Sequence, residues 1–133
     1  LREQGLGDGR GAPLQRIQMI KGWIDRDQGP MQKVFEIAGD PENGAGVDLE
    51  TCELTGDGFD RLCTIWADPE FDPGERAFYY VRVIENPSCR WSTYDCNRLD
   101  PGDRPAACSD SEIQGWIQER AWTSPIWYRP EEE

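Results

Sequence analysis

At 133 residues the chain has the length of one ordinary domain, enough to bury about two thirds of its unfolded surface. Its net charge of −12, from 14 basic and 26 acidic residues, excludes partners held mainly through Lys and Arg, namely nucleic acids and anionic membrane surfaces. The hydrophobic share is only 37%, so the core is expected to be thin and filled by the six Trp, four Tyr and four Phe.

Residues 1–15 are Gly-rich and aperiodic, which reads as an extended N-terminal arm. The arm is expected either to lie along its own domain or to add as a strand to a neighbouring subunit, with Leu6, Ala12 and Leu14 entering the acceptor groove. The chain opens on Leu1 and not on Met, as expected of a mature product or of a piece of a longer protein.

Residues 16–24 predict the first strand. Ile17, Met19 and Trp23 share one face, and Lys21 interrupts it. Residues 25–30 read as a turn and 33–38 as the returning strand of a hairpin. A loop over 39–46, a short strand over 47–52 and a third good strand over 61–67 follow. Asp68-Pro69 and Asp72-Pro73 predict a double turn. Residues 77–85 are apolar on both faces, which marks a central strand. Residues 86–110 form a long Pro-rich loop with three cysteines, and Ser109 and Glu112 have the spacing of a capped helical turn near its end. The last strands fall at 117–122 and 126–128, before an acidic tail at 129–133. The fold class is therefore all-β: an antiparallel β-sandwich of about seven short strands with Ig-like layers over 16–128, and no helix of useful length.

The five cysteines lack a C-x-x-C pair and the chain has no histidine, so the usual zinc patterns fail. Disulfides and an oxidising compartment, extracellular or periplasmic, are the better reading. Cys52 and Cys63 flank a Gly-rich turn and are expected to bridge a hairpin. Cys108 is expected to pair with Cys89 or Cys96, which leaves one thiol over. No apolar run is long enough to cross a bilayer.

Chemistry is sparse. Without histidine, neither a serine nor a cysteine nucleophile has its usual base. Carboxylate pairs suited to glycoside hydrolysis will arise by chance among 26 acidic residues. Asp57, Asp60, Asp68, Glu70 and Asp72 crowd two turns and form a candidate Ca²⁺ site, although solvated turns explain them as simply. Trp91, Trp116, Trp122 and Trp127 are candidate rings for stacking carbohydrate, with Trp91 and Trp116 carried forward as the platform. The plain alternative is that they fill the core or pack on Pro87, Pro125 and Pro130.

Residues 78–85, 90–95 (Arg-Trp-Ser-Thr-Tyr-Asp) and 118–128 (Gln-Glu-Arg-Ala-Trp-Thr-Ser-Pro-Ile-Trp-Tyr) carry a resemblance, supported by 16–23 and 66–73. The chain resembles the C-terminal β domain of a family of uncharacterised, mostly secreted bacterial proteins. Their long members carry an upstream domain similar to the PHP (polymerase and histidinol phosphatase) metallohydrolases. The resemblance implies an exported β-sandwich and no catalytic residue here, because a PHP-type site needs clustered histidines. Two functions are expected: a non-catalytic structural protein that self-associates by arm exchange into a closed oligomer or fibre, or an accessory, carbohydrate-binding domain of a PHP-like hydrolase.

Overall fold

The computed structural model describes residues 11–130, so Leu6 of the expected arm lies outside the described residues. In chain order the elements are β1 (Leu14–Asp25), β2 (Gly29–Gly39), β3 (Gly46–Val47), β4 (Leu54–Thr55), β5 (Ala77–Glu85), β6 (Ser88–Cys89), α1 (Trp91–Arg98), β7 (Trp116–Ile117), β8 (Arg120–Trp122) and β9 (Ile126–Tyr128). Two 3₁₀ turns, Pro101–Asp103 and Ala106–Ser109, sit between α1 and β7. The all-β, antiparallel class expected from the strand pattern holds. The chain divides into two compact units, one over residues 11–13, 42–58 and 85–119, the other over 14–41, 59–84 and 120–130.

The second unit is built on one sheet in the order β2-β1-β5, with β8 and β9 following one another along the far side of β5. The β1–β2 hairpin forms because β-branched and aromatic residues flank a polar turn. In that turn the Asp25 carboxylate accepts the N–H groups of Asp27 and Gln28, each at 2.8 Å. The Gln28 bond, and then the Asp27 bond, hold its pKa below the usual carboxylate range. The register shifts by one residue between Ile17 and Gln18, and Gly39 closes the pairing at φ +88°. A Cβ there would meet the Gln15 carbonyl oxygen at 2.3 Å. Between β1 and β5, Gln18 meets Arg82, Lys21 meets Tyr79 and Gly22 meets Phe78, so those strands also run antiparallel. As its two apolar faces predict, β5 is central. The core is thin: Ile20, Ala77 and Ile84 are the buried apolar residues of this unit.

The other unit has little apolar interior. Its buried residues are Cys89 and Asn86. The Asn86 amide donates to the Asp57 carbonyl at 3.1 Å and accepts from the Asn43 amide at 2.9 Å. Of its two small ladders, β3 with β4 and β6 with β7, the first is tied to the second by the Cys52–Cys89 disulfide, with Cys52 just ahead of β4 and Cys89 in β6.

Three expectations are corrected. Residues 61–67 form no ladder; the segment crosses a face of its sheet, with Trp66 packed on Phe35 at 5.1 Å and on Tyr79 at 6.3 Å, while Ile65 is fully exposed. Within the expected loop at 86–110 lies α1, which has no buried residue and hence no apolar stripe to read. The cysteine pairing differs in part: Cys108 takes Cys96, one of its two expected partners, but Cys52 does not take Cys63. Cys52 bonds Cys89 and Cys96 bonds Cys108, leaving Cys63 exposed as a thiol. The expected Cys52–Cys63 bridge fails because β4 folds back on β3, not on 60–63, and β6 brings Cys89 to a Cα separation of 5.6 Å from Cys52.

Candidate functional site: an aromatic face of the sheet

The two faces of the sheet in the second unit differ sharply. Alternation puts Met19, Lys21, Phe35, Tyr79 and Ile126 on one face. Residues 66–71 lie over it, and Lys21, the interruption in the apolar pattern, explains how they are held. Its ammonium donates to the Asp68 carboxylate at 2.7 Å and to the Glu70 carbonyl at 2.7 Å. The Tyr79 hydroxyl donates to the same carboxylate at 2.8 Å. Both members of the ion pair are buried, with 3% and 5% of their side chains exposed. Burial works against the Asp68 carboxylate, but bonds from Lys21, the Glu70 N–H and Tyr79 outweigh it and hold its pKa low. Burial first, and then the bond to Asp68, pushes the Tyr79 pKa up.

This arrangement disposes the expected cation ligands differently. Asp68 is consumed by Lys21 and Tyr79, Glu70 pairs with Lys33, and Asp72 closes its own turn by accepting the Gly74 N–H at 2.8 Å. Asp57 uses its backbone carbonyl to hold Asn43 and Asn86, and the structure does not gather Asp57 or Asp60 with the others. Among the described residues no three His, Cys, Asp or Glu side chains are grouped to hold a metal ion. Two of the expected arm positions are tied to this chain: the Ala12 N–H donates to Glu85 at 3.1 Å, and Leu14 exchanges backbone bonds of 2.8 Å with Phe59.

The opposite face carries two exposed indoles, Trp122 and Trp127, beside half-buried Phe78 and Tyr80 and buried Gln18, Ile20 and Ile84. One cross-strand row runs from Gln32 on β2 through Gly22 on β1 and Phe78 on β5 to Trp127 on β9. Gly22 is there to make room: a Cβ would fall 2.3 Å from the Phe78 ring. Phe78 lies 5.3 Å from the Trp127 ring and stacks near-parallel on Tyr80 at 6.4 Å. Further along, Glu36, Gln18, Arg82 and Trp122 form a second row, in which Gln18 bonds both Glu36 and Arg82. Trp122 and Trp127 are 57% and 66% exposed. Their β5 partners, Arg82 and Phe78, are four residues apart, so the two indoles stand about 13 Å apart along the strand. A groove of about 670 Å³ at this end of the sheet is bordered by Gly22, Phe78 and Trp127, with Gln32, Arg76 and Arg129 as its polar groups, while the rings of Trp23 and Tyr128 turn to the covered face, where Lys21 lies 5.2 Å from Trp23 and Phe71 lies 4.8 Å from Tyr128.

Trp127 follows Trp122 by five positions, an odd offset that in an unbroken strand would put them on opposite faces. The register answers this. β8 and β9 pair with β5 one residue out of step. In the break the Thr123 hydroxyl accepts the Val81 N–H at 3.0 Å while the Thr123 N–H donates to the Val81 carbonyl at 3.0 Å. The extra residue turns Trp127 back to the face of Trp122.

Trp91 and Trp116, the expected platform, are 67% and 38% exposed but line separate cavities of the disulfide-bridged unit. Trp91 projects from α1 against Tyr94, and Trp116 lies in β7 paired with Cys89. No geometry brings those two rings into one groove.

Fold and site together define an all-β protein with two disulfides and two mostly exposed indoles on one sheet face. The chain belongs to the family described as protein of unknown function (DUF3604), which it matches over residues 4–130. No curated protein and no solved structure matches it.

Proposed function

We propose that this chain is a non-catalytic, carbohydrate-binding accessory domain whose sugar-stacking surface is the Trp122–Trp127 face. One observation carries the reading: two mostly exposed indoles stand on the same sheet face with Phe78 and Tyr80 between them. Large exposed aromatics in a row mark interaction sites, and flat rings stack on the apolar faces of sugars at low entropic cost because the sheet already holds them. The two disulfides support a setting outside the cytoplasm. The resemblance to C-terminal domains of PHP-containing proteins supports an accessory role beside an upstream hydrolase.

Native gels cast with cellulose ethers, xylan, galactan, chitosan or pectin test the reading. Retardation by at least one polymer is expected. It should be lost in Trp122→Ala and Trp127→Ala and kept in Trp91→Ala and Trp116→Ala. Unretarded migration across the whole panel refutes the reading.

A second reading, self-association by strand donation, is favoured by a separate observation. Among the described residues β2 pairs only with β1, so its 11 residues form a long outer edge. The opposite edge consists of two 3-residue strands broken by Pro125. A long edge invites an added strand, whereas short strands and proline discourage one.

A further inference from the structure

We infer that the ligand of the Trp122–Trp127 face is an uncharged glycan, bound as a straight run of several sugar rings that bridges both indoles. The inference rests on the carbohydrate reading above and adds the length, shape and charge of the ligand. Length comes from the spacing of the two mostly exposed rings. Their β5 partners, Arg82 and Phe78, are four residues apart, which sets the indoles about 13 Å apart along the strand. With single bonds of about 1.5 Å, one pyranose ring and its linkage advance a chain by about 5 Å. A monosaccharide therefore covers one indole, and about three to four rings are needed to reach both. Shape comes from the strands. β8 and β9 follow one another along the same side of β5, so the path between the indoles is straight. A chain joined through equatorial bonds follows such a line, whereas a chain of the starch type coils away from it.

The absence of ligand charge follows from the groups along that line. Thr123, Ser124, Pro125 and Ile126, which lie between the indoles in the chain, are exposed and carry no ionisable side chain. Further in, the row of Trp122 holds one carboxylate and one guanidinium. The Gln18 amide joins them, donating to Glu36 and accepting from Arg82 at 2.8 Å, so that row presents no net charge. The row of Trp127 ends on Gln32, an exposed neutral amide. Of the arginines at the groove, Arg76 is engaged by its own chain. Arg129 alone does not offset the net charge of −12, which repels a polyanion. A neutral sugar meets no such repulsion, and its apolar ring faces suit the flat indoles.

The test is calorimetry on the full chain at physiological salt with cello-, manno- and xylo-oligosaccharides of one to six rings, beside malto-oligosaccharides and oligogalacturonates of the same lengths. In at least one of the three straight neutral series, affinity is expected to rise about tenfold or more between two rings and four, as the second indole is reached, and to level off by six. Trp122→Ala should remove that rise and leave the affinity for two rings within about twofold, because Trp127 still stacks one ring. Trp91→Ala should change neither. Trp122→Phe, which keeps a ring, should retain part of the rise and so separates loss of stacking from misfolding. Galacturonates and malto-oligosaccharides of four rings should bind more weakly than the best straight neutral tetramer. Affinity that does not change with length overturns the bridging and leaves the carbohydrate reading standing. Galacturonates that bind as tightly as the neutral series overturn the charge assignment, and malto-oligosaccharides that do so overturn the shape, with the same reading left in place. Failure of every sugar to bind overturns both.

Discussion

Lys21 is the residue on which the covered face turns. It breaks an apolar alternation, and it is buried against Asp68 with Tyr79 and the Glu70 carbonyl completing its shell. Removing one member of a buried ion pair strands the other, at a typical cost of about 3–5 kcal/mol, whereas replacing both by apolar residues costs little. Asp68→Ala is therefore expected to lose stability in that range by urea denaturation, and Lys21→Met/Asp68→Leu to recover most of it. The pH dependence follows from the same cluster. The Asp68 pKa is lowered in the folded state, so its contribution is present above the unfolded value near 4 and is lost as pH falls through the folded value. The Tyr79 pKa is raised, so its contribution is present below about 10 and is lost as pH rises beyond that. Denaturation of wild type and Asp68→Ala across pH 2–11 should show their difference shrinking below about pH 4. On the other face, Gly22→Ala drives a methyl into the Phe78 ring. Overpacking of that kind costs about 1–3 kcal/mol, and it should also blue- or red-shift the fluorescence of Trp127, which packs on Phe78.

At the scale of elements, the strands that could be read in the sequence are those whose pattern and partner agree. β1, β2 and β5 show alternation, turn residues at their ends and a place in one sheet. Residues 61–67 have equal β propensity but no free ladder, and Trp66 and Asp68 use the segment as a cover instead. The helix α1 was illegible for the opposite reason, since its stability comes from a crosslink and from Asn97 bonding the Leu49 carbonyl at 2.8 Å, neither of which leaves a periodic trace. The candidate site was half legible: Trp122 and Trp127 can be picked out as aromatics, but only the register break at Thr123 puts them on one face. The disulfides support a unit that has almost no apolar core. Chain-entropy arguments give about 4 kcal/mol for Cys52–Cys89, with 37 residues of separation, and about 3 kcal/mol for Cys96–Cys108, with 12. Cys52→Ser/Cys89→Ser should therefore lower the denaturation midpoint more than Cys96→Ser/Cys108→Ser. Cys63→Ser should leave it unchanged, because that thiol is exposed and unbridged.

For the whole molecule two outward-facing features compete: the edge of β2 and the aromatic face. They make different demands on the protein in solution. Assembly through β2 gives a mass that rises with concentration and falls when Val34 is replaced by Pro, which removes an N–H from the edge strand. Binding through the aromatic face gives a monomer whose exposed indoles respond to ligand. Nitrogen-15 correlation spectra resolve the indole N–H of each of the six Trp, assigned by single Trp→Phe changes. On titration with a polysaccharide, the signals of Trp122 and Trp127 are expected to move together and saturably while those of Trp91 and Trp116 stay in place. Movement of Trp91 and Trp116 with Trp122 and Trp127 unmoved would contradict the assignment of the binding surface to the sheet.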